Sequence, residues 1–130
     1  MEKLVNRCFG CSQINPIGLK LKFSYKDDEA VTKWIPKKEY QGWPGRLHGG
    51  ITATILDEVM AKVIEHKGIY AVTAEMNVRY VKKIEIGKEL IARAWSERQS
   101  KKIFYVKAEI QNKNGEVLAK GSGKYFRMKI

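Results

Sequence analysis

The pattern of chemical interest in this chain is His48-Gly49-Gly50, followed nine residues after the histidine by Asp57. Residues 49–64 are apolar with little polar surface in the first three turns, which predicts a helix buried against a sheet. A carboxylate two turns into such a helix must lose water, pair with another group or take part in chemistry. The two glycines allow a ligand to approach the backbone closely and leave N–H groups pointing outward. A carboxylate and helix-end donors suit the attack on a carbonyl and its polarisation.

Alternating apolar and polar residues predict the strands that must position this helix. We expect strands at residues 18–25, 30–35, 70–82, 89–98, 102–112 and 117–128. Asp27-Asp28 and Asn114-Gly115 mark hairpin turns, and Gly68 suits a left-handed cap after the helix. In the long strand after the helix, Thr73 is expected on the polar face that also carries Glu75, Asn77 and Arg79.

This order of elements predicts an α+β fold in a single domain over residues 1–130. One long helix is wrapped by an antiparallel sheet of five to six strands, with a loop at residues 36–47. Such a sheet leaves long edge strands, which are open to pairing with another chain. We therefore expect a homodimer, or a homotetramer built as a dimer of dimers.

The charge balance indicates an affinity for anions. The chain has 25 lysine and arginine residues against 14 acidic residues, a net charge of +11. Nine basic and three acidic residues lie between Arg79 and Lys107, a local excess of six positive charges. This segment is interpreted either as a solvated sheet face or as a surface that docks phosphates. The chain lacks stacking motifs and nucleic-acid modules, so we expect no nucleic-acid partner.

The longest apolar run is interrupted by Asp57 and Glu58, so we expect no membrane span. The first eight residues contain no apolar leader, and we expect a cytoplasmic protein without a membrane partner.

Two cysteines, Cys8 and Cys11, form a CxxC pair near the N-terminus. The pair supplies two of the four ligands of a structural zinc ion, and the histidines His48 and His66 lie far along the chain. A zinc site shared across a symmetric dimer and a redox role are the alternatives. We interpret the cysteines as local structure with reduced thiols, and expect no metal and no other cofactor.

Three segments of the chain resemble the PaaI-like acyl-CoA thioesterases of the hotdog fold. The first is Cys8-Phe9-Gly10-Cys11 with Asn15-Pro16-Ile17-Gly18-Leu19, the second runs from Gln41 through His48-Gly49-Gly50 to Leu56-Asp57-Glu58, and the third is Val72-Thr73-Ala74-Glu75-Met76-Asn77-Val78. The resemblance implies hydrolysis of an acyl-CoA thioester at a site shared between two protomers.

The same resemblance assigns roles to residues that match the family's motif. Asp57 is implied as the nucleophile or as the base that orients water, and the Gly49 backbone N–H as the donor that polarises the carbonyl. Thr73 is implied to orient the carboxylate or the water. His48 is interpreted as positioning the loop, with a general-base role as the alternative. Gln41 is a candidate for contact with the thioester.

The remaining candidates concern binding of the substrate. Gly50 permits close approach of a ligand to the helix start, and the phosphates of coenzyme A would dock on basic residues. The candidates are Arg79, Lys82, Lys83, Lys101 and Lys102.

Several alternatives stay open on the sequence alone. Asp57 could be a buried carboxylate that pairs within a dimer seam, and Glu58 is interpreted as making a salt bridge or an interface contact, with the role of catalytic acid as the alternative. A non-catalytic acyl-CoA-binding module and an acyl-thioester hydratase or dehydratase are the alternative functions.

Overall fold

The apolar run after His48 forms the helix α1, Gly49–Glu65, in the computed structural model, which describes residues 5–129. His48 is the N-cap residue, and its side chain accepts a hydrogen bond from the Gly50 N–H at 2.9 Å. The chain turns away after the helix at Gly68, whose φ of +80° is a conformation that glycine adopts readily. The predicted helix and its boundaries are confirmed.

Six strands form one antiparallel sheet against α1. They are β1 (Phe23–Lys26), β2 (Glu29–Trp34), β3 (Ala71–Tyr80), β4 (Leu90–Gln99), β5 (Ile103–Asn112) and β6 (Val117–Arg127), arranged in the order β1-β2-β4-β5-β6-β3. A 3-10 turn, Lys38–Tyr40, lies in the long loop before the helix. The α+β class with one helix on a six-stranded sheet is confirmed.

The first strand is shorter than the sequence predicts, since it begins at Phe23 and not at Gly18. Lys20 has a φ of 56°, which interrupts the extended backbone. The N–H groups of Leu19 and Leu21 donate to the carbonyl oxygens of Phe9 and Gly10 at 2.8 and 3.0 Å. The predicted alternation is therefore present, but this segment pairs with the N-terminal loop and not with β2.

A β-bulge changes the side of the sheet on which Thr73 lies. Thr73 is opposite Tyr125, whereas Glu75 is opposite Lys124, so Ala74 is the extra residue. A bulge shifts the alternation by one position, and Thr73 consequently shares the helix side with Tyr80. The prediction that Thr73 lies on the face of Glu75 and Asn77 was wrong, because strict alternation cannot anticipate a bulge.

Small residues on β6 bring the helix close to the sheet. Ala119, Gly121 and Gly123 are buried at alternate positions, which face α1. A Cβ atom on Gly121 would lie 3.4 Å from the side chains of Leu56 and Met60, so the helix packs directly on the strand backbone there. The rest of the core between the helix and the sheet is filled by branched and aromatic side chains such as Ile55, Val59, Phe104, Val106 and Ile110.

The sheet has two edges, β1 and β3. The β3 edge is long and carries exposed apolar side chains, including Val72 and Tyr80. Phe126 and Met128, at the end of and just beyond the neighbouring β6, are exposed as well. Such an edge is open to pairing with another chain. Within residues 5–129, no helix has the length and apolar character needed to cross a membrane.

We expect the two glycines of β6 to differ in their tolerance of alanine. A Cβ on Gly123 would lie 2.7 Å from Cε2 of the Tyr125 ring, whereas the nearest atoms to a Cβ on Gly121 lie at 3.4 Å. Gly123→Ala should therefore lower the free energy of unfolding by about 1–3 kcal/mol, a typical cost of overpacking. Gly121→Ala is the matched control and should cost clearly less. Chemical denaturation measures both, and equal losses would contradict this account of the packing.

Candidate active site

The carboxylate of Asp57 is held by two hydroxyl groups from the sheet. Thr73 Oγ1 on β3 and the Tyr125 hydroxyl on β6 each donate to Asp57 Oδ1 at 2.8 Å. Asp57 is half-buried, and among residues 5–129 no side chain donates to its Oδ2. One oxygen is thus fixed by neutral donors and the other remains available. This arrangement suits a carboxylate that must attack or take a proton.

Tyr125 is a site residue that the sequence analysis missed. Its ring is fully buried, and burial together with the charge of Asp57 and the hydrogen bond to it raises the pKa of Tyr125. The hydroxyl therefore keeps its proton and acts as a permanent donor to the carboxylate. A signal was present in the sequence: Tyr125 follows Ala119, Gly121 and Gly123 at the next inward position of the strand, as the first large side chain after three small residues.

The N-terminus of α1 forms a second cluster of polar groups. His48 Nδ1 accepts a hydrogen bond from the Gly50 N–H, and an accepting nitrogen carries no proton. The neutral ring therefore has its proton on Nε2. This bond supports the positioning role of His48. Among the described residues, no loop carbonyl or side chain accepts a hydrogen bond from the Gly49 N–H. The Tyr80 hydroxyl donates to the Gly49 carbonyl oxygen at 2.8 Å and holds β3 against the helix start.

A cavity of about 660 Å³ opens beside this helix start. Its lining includes Trp43, His48, Gly49, Tyr80, Lys82 and Lys83. Free N–H groups at a helix start together with lysines favour an anionic ligand. Lys82 is paired with Glu116, and Lys83 Nζ lies 3.8 Å from Glu85 Oε1. Exposed ion pairs of this kind are weak, so a phosphate could replace the carboxylate in each of them. The Trp43 side chain, 81% exposed, stands at this cavity.

The five predicted basic residues do not form one surface within a single chain. Lys82 and Lys83 lie at the cavity, whereas Lys101 and Lys102 lie in the turn between β4 and β5, at the opposite end of the sheet. Arg79 lies on the sheet face away from α1 with Lys120 and Trp95. The expectation of one docking surface is therefore corrected, because the alternation and length of the strands separate residues that are close in sequence.

Gln41 has a local role within the loop. Its Oε1 accepts a hydrogen bond from the Gly45 N–H at 2.9 Å, and its backbone bridges Leu47. These bonds close the loop that leads into His48. Gln41 is not among the residues that line the cavity.

Asp57 and Gly49 lie on the same helix but not in the same cavity. They lie eight positions apart, which corresponds to about 12 Å along the helix axis. The lining of the cavity at the helix start includes neither Asp57 nor Thr73. The two groups are therefore too far apart in one chain to act on the same carbonyl.

Glu58, the neighbouring acid, interacts with the N-terminal loop. Cys8 Sγ donates to Glu58 Oε1 at 3.1 Å. Burial and this hydrogen bond raise the pKa of the Cys8 thiol to about 11. Glu58 therefore contacts a cysteine 50 residues away in its own chain and forms no salt bridge with a described residue; an interface contact of Glu58 stays a prediction.

Comparison with known proteins places this arrangement in a family. The model of the thioesterase superfamily matches residues 44–119, which covers more than half of the chain, including α1 and β3. Acyl-coenzyme A thioesterase 13 of Mus musculus is 34% identical over 80 residues, which are 59% of this chain and 57% of that protein. The chain thus spans less than two thirds of the length of this relative.

Solved structures with the same architecture support the fold. The Escherichia coli PaaI protein, from the phenylacetic acid degradation operon, superposes with a TM-score of 0.80 at 21% identity, over 85% of this chain and 81% of that one. A Streptococcus mutans protein solved with acetyl CoA bound superposes with a TM-score of 0.78 at 19% identity, over 83% and 88% of the two chains. From the matched residues and the shared architecture, this chain belongs to the thioesterase superfamily and has the hotdog fold of the PaaI-like thioesterases.

Proposed function

We propose that this protein hydrolyses acyl-CoA thioesters to a free acid and coenzyme A, with Asp57 as the reacting carboxylate. The observation that carries the proposal is the carboxylate itself: one oxygen held by Thr73 and Tyr125, the other without a donor in the described chain. The oxygen without a donor is not a buried atom, so a substrate or a water molecule can reach it. The curated relative named acyl-coenzyme A thioesterase and the fold neighbour solved with acetyl CoA support this choice of substrate class.

The distance between Gly49 and Asp57 leads to a site built by two protomers. The β3 edge is open, and two β3 strands paired antiparallel about a twofold axis would place the Tyr80 end of one beside the Thr73 end of the other. The Tyr80 hydroxyl is hydrogen-bonded to Gly49, and the Thr73 hydroxyl is hydrogen-bonded to Asp57. Pairing of the edges therefore carries the helix start of one protomer toward the carboxylate of its partner. The exposed apolar side chains of the edge would be covered at the same time.

The reaction follows from these two groups. The Gly49 N–H donates to the thioester carbonyl oxygen, where negative charge develops during attack. Asp57 either attacks the carbonyl carbon itself or removes a proton from an attacking water. In both routes the C–S bond breaks, and the coenzyme A thiolate leaves and takes up a proton. In the direct route water then cleaves the mixed anhydride of Asp57 and the acyl group, whereas in the other route the attacking water itself supplies the second oxygen of the acid. Single turnover in ¹⁸O-labelled water tests for the direct route, because water that attacks the Asp57 carboxyl carbon of the anhydride leaves its label in Asp57 and not in the acid.

Coenzyme A would dock at the cavity beside the helix start. Lys82 and Lys83 provide two ammonium groups there, close to the free N–H groups of α1. A ribose phosphate or pyrophosphate that replaced Glu116 and Glu85 would offer these ammonium groups a more concentrated negative charge. The indole of Trp43 offers a flat surface at the same cavity.

Substitution of Asp57 tests the proposed activity directly. Asp57→Asn keeps an oxygen that can accept from Thr73 and Tyr125 but removes the negative charge, so the release of coenzyme A thiol should fall by roughly 10²-fold or more. The assay follows thiol release from short, medium, long and aryl acyl-CoAs. Glu58→Gln is the neighbouring control and should keep most of the activity. No thiol release from any member of the panel by the wild-type chain would refute the proposal.

The two hydroxyl donors are positioning groups, and their removal should affect turnover more than binding. Tyr125→Phe and Thr73→Val each remove one donor to Asp57 Oδ1 with little change of shape, and we expect kcat to fall about tenfold, which corresponds to about 1.4 kcal/mol. KM should change much less. Because both donors share one oxygen, their effects on kcat should not be independent. The loss of kcat in the double variant should differ from the product of the two single losses. A rise in KM with constant kcat would contradict the positioning role.

The helix-start donor can be removed without disturbing the helix. Gly49 is the first helical residue after the N-cap, where proline fits, and His48 has the extended backbone (φ −60°, ψ 136°) that a residue before proline requires. Gly49→Pro removes the N–H and should lower kcat by roughly 10²–10³-fold. Gly49→Ala keeps the N–H, and its Cβ meets the Tyr80 ring at ordinary contact distances. Its kcat should therefore fall much less than that of Gly49→Pro.

Mixing the two inactive variants tests whether the site is shared. In a heterodimer of Gly49→Pro and Asp57→Asn chains, a shared site leaves one of the two sites with both native groups. Refolded or co-expressed mixtures should then recover about a quarter of the wild-type activity, since half of the dimers are mixed and half of their sites are intact. Mixtures that remain inactive would show that each chain carries a complete site.

A further inference from the structure

Three metal-ligating side chains meet beside α1, one residue along the helix from Asp57. The Sγ atoms of Cys8 and Cys11 and a carboxylate oxygen of Glu58 all lie within 4.8 Å of one another. All three residues are half-buried, and neither cysteine is in a disulfide. The sequence shows only two of these ligands in this region, because the third lies far along the chain and is brought there by the fold.

The loop that carries the cysteines is held in place by its own hydrogen bonds. The Ser12 N–H donates to the Cys8 carbonyl oxygen at 3.0 Å, and the Cys8 N–H donates to Asn6 Oδ1 at 2.9 Å. The carbonyl oxygens of Phe9 and Gly10 accept from the Leu19–Leu21 segment. The two sulfur atoms are therefore placed by the backbone before any ion arrives, which lowers the entropic cost of binding one.

Gly10 shows how closely this loop is fitted to the helix. A Cβ atom at Gly10 would lie 2.3 Å from Glu58 Cγ and 2.6 Å from Glu58 Oε1. A side chain at position 10 would require the Glu58 side chain to move. The glycine therefore allows the loop to lie against the Glu58 carboxylate in the observed position.

We propose that Cys8, Cys11 and Glu58 bind a zinc ion, with a water molecule in the fourth position. A tetrahedral zinc ion with Zn–S of about 2.3 Å and Zn–O of about 2.1 Å separates its ligand atoms by about 3.5–3.8 Å. The Cys8 Sγ to Glu58 Oε1 distance of 3.1 Å would open by about half an ångström, within the reach of small side-chain rotations. Two thiolates favour zinc over the hard cations magnesium and calcium.

The charges of the loaded site can be balanced by the surrounding residues. Binding releases the two thiol protons to solvent, so the ion, two thiolates and one carboxylate carry a net charge of −1. The ammonium group of Lys62 lies beside Cys11 and is paired with Glu65 at 2.9 Å. Lys62 can thus turn toward the site and neutralise it. The ion would fasten the N-terminal loop to α1 next to Asp57, and this role does not depend on the hydrolysis proposed above.

Metal content and a spectroscopic signature test this proposal on the complete chain without an affinity tag. Wild-type protein, kept reduced, stripped with a chelator, reloaded with zinc and dialysed, should retain one zinc ion per chain. The double variant Cys8→Ser/Cys11→Ser should retain none. Glu58→Gln should bind zinc about tenfold or more weakly in competition with a chromophoric chelator, since it loses a charged ligand. Glu97→Gln removes the same charge from the surface of β4, where Glu97 pairs with Lys107, and should bind as the wild type does.

Cobalt substitution keeps the proposal testable even if the double variant does not fold. Wild-type protein loaded with Co²⁺ should show the near-ultraviolet charge-transfer band of thiolate ligation, and zinc should displace it. Zinc should also raise the melting temperature of the wild type. Failure of reduced wild-type protein to retain zinc, absence of the charge-transfer band, or equal zinc affinity of Glu58→Gln and the wild type would each overturn the proposal.

Discussion

The placement of the Asp57 carboxylate inside an apolar helix constrains much of this structure. A carboxylate that is half-buried loses part of its hydration, and the loss must be offset by donors from elsewhere in the fold. Thr73 and Tyr125 provide them from two neighbouring strands. For both hydroxyls to reach the same oxygen, the helix must lie close to β6, and β3 must turn Thr73 toward it. The small side chains of β6 satisfy the first requirement and the bulge at Ala74 satisfies the second.

In the mechanism proposed above, the chemistry is divided between two places on one helix. The helix that carries Asp57 also carries the free N–H group of Gly49, but its length keeps the two groups about 12 Å apart. A helix cannot bend enough to bring them together, which is why we propose that a second copy of the helix completes the arrangement. Tyr80 and Thr73, near opposite ends of β3, contact Gly49 and Asp57 respectively. In that proposal, pairing of the open β3 edge would cover its apolar side chains and bring the two groups together.

Several features of the fold were predictable from the sequence, and others were not. The helix, the hairpin turns and the six strands follow from local periodicity and turn residues, which do not depend on distant contacts. The start of β1 was misplaced because Leu19 and Leu21 alternate like a strand but bond to a loop. The face of Thr73 was misplaced because a bulge has no signature in an alternating pattern. Tyr125 was missed because its importance arises from a residue 68 positions away.

The sequence alone determined that a carboxylate lies two turns into a buried helix that starts with two glycines, since burial and helix periodicity are local properties of the chain. It also determined, through the resemblance of three segments, the family to which the chain belongs. Only the tertiary structure decided which groups surround that carboxylate, which lysines share the cavity, and that Glu58 lies close to two cysteines. The physical reason is that hydrogen bonds and ligand sets depend on distances between side chains. Those distances are set by strand register, helix-to-sheet packing and loop closure, which couple residues remote in sequence.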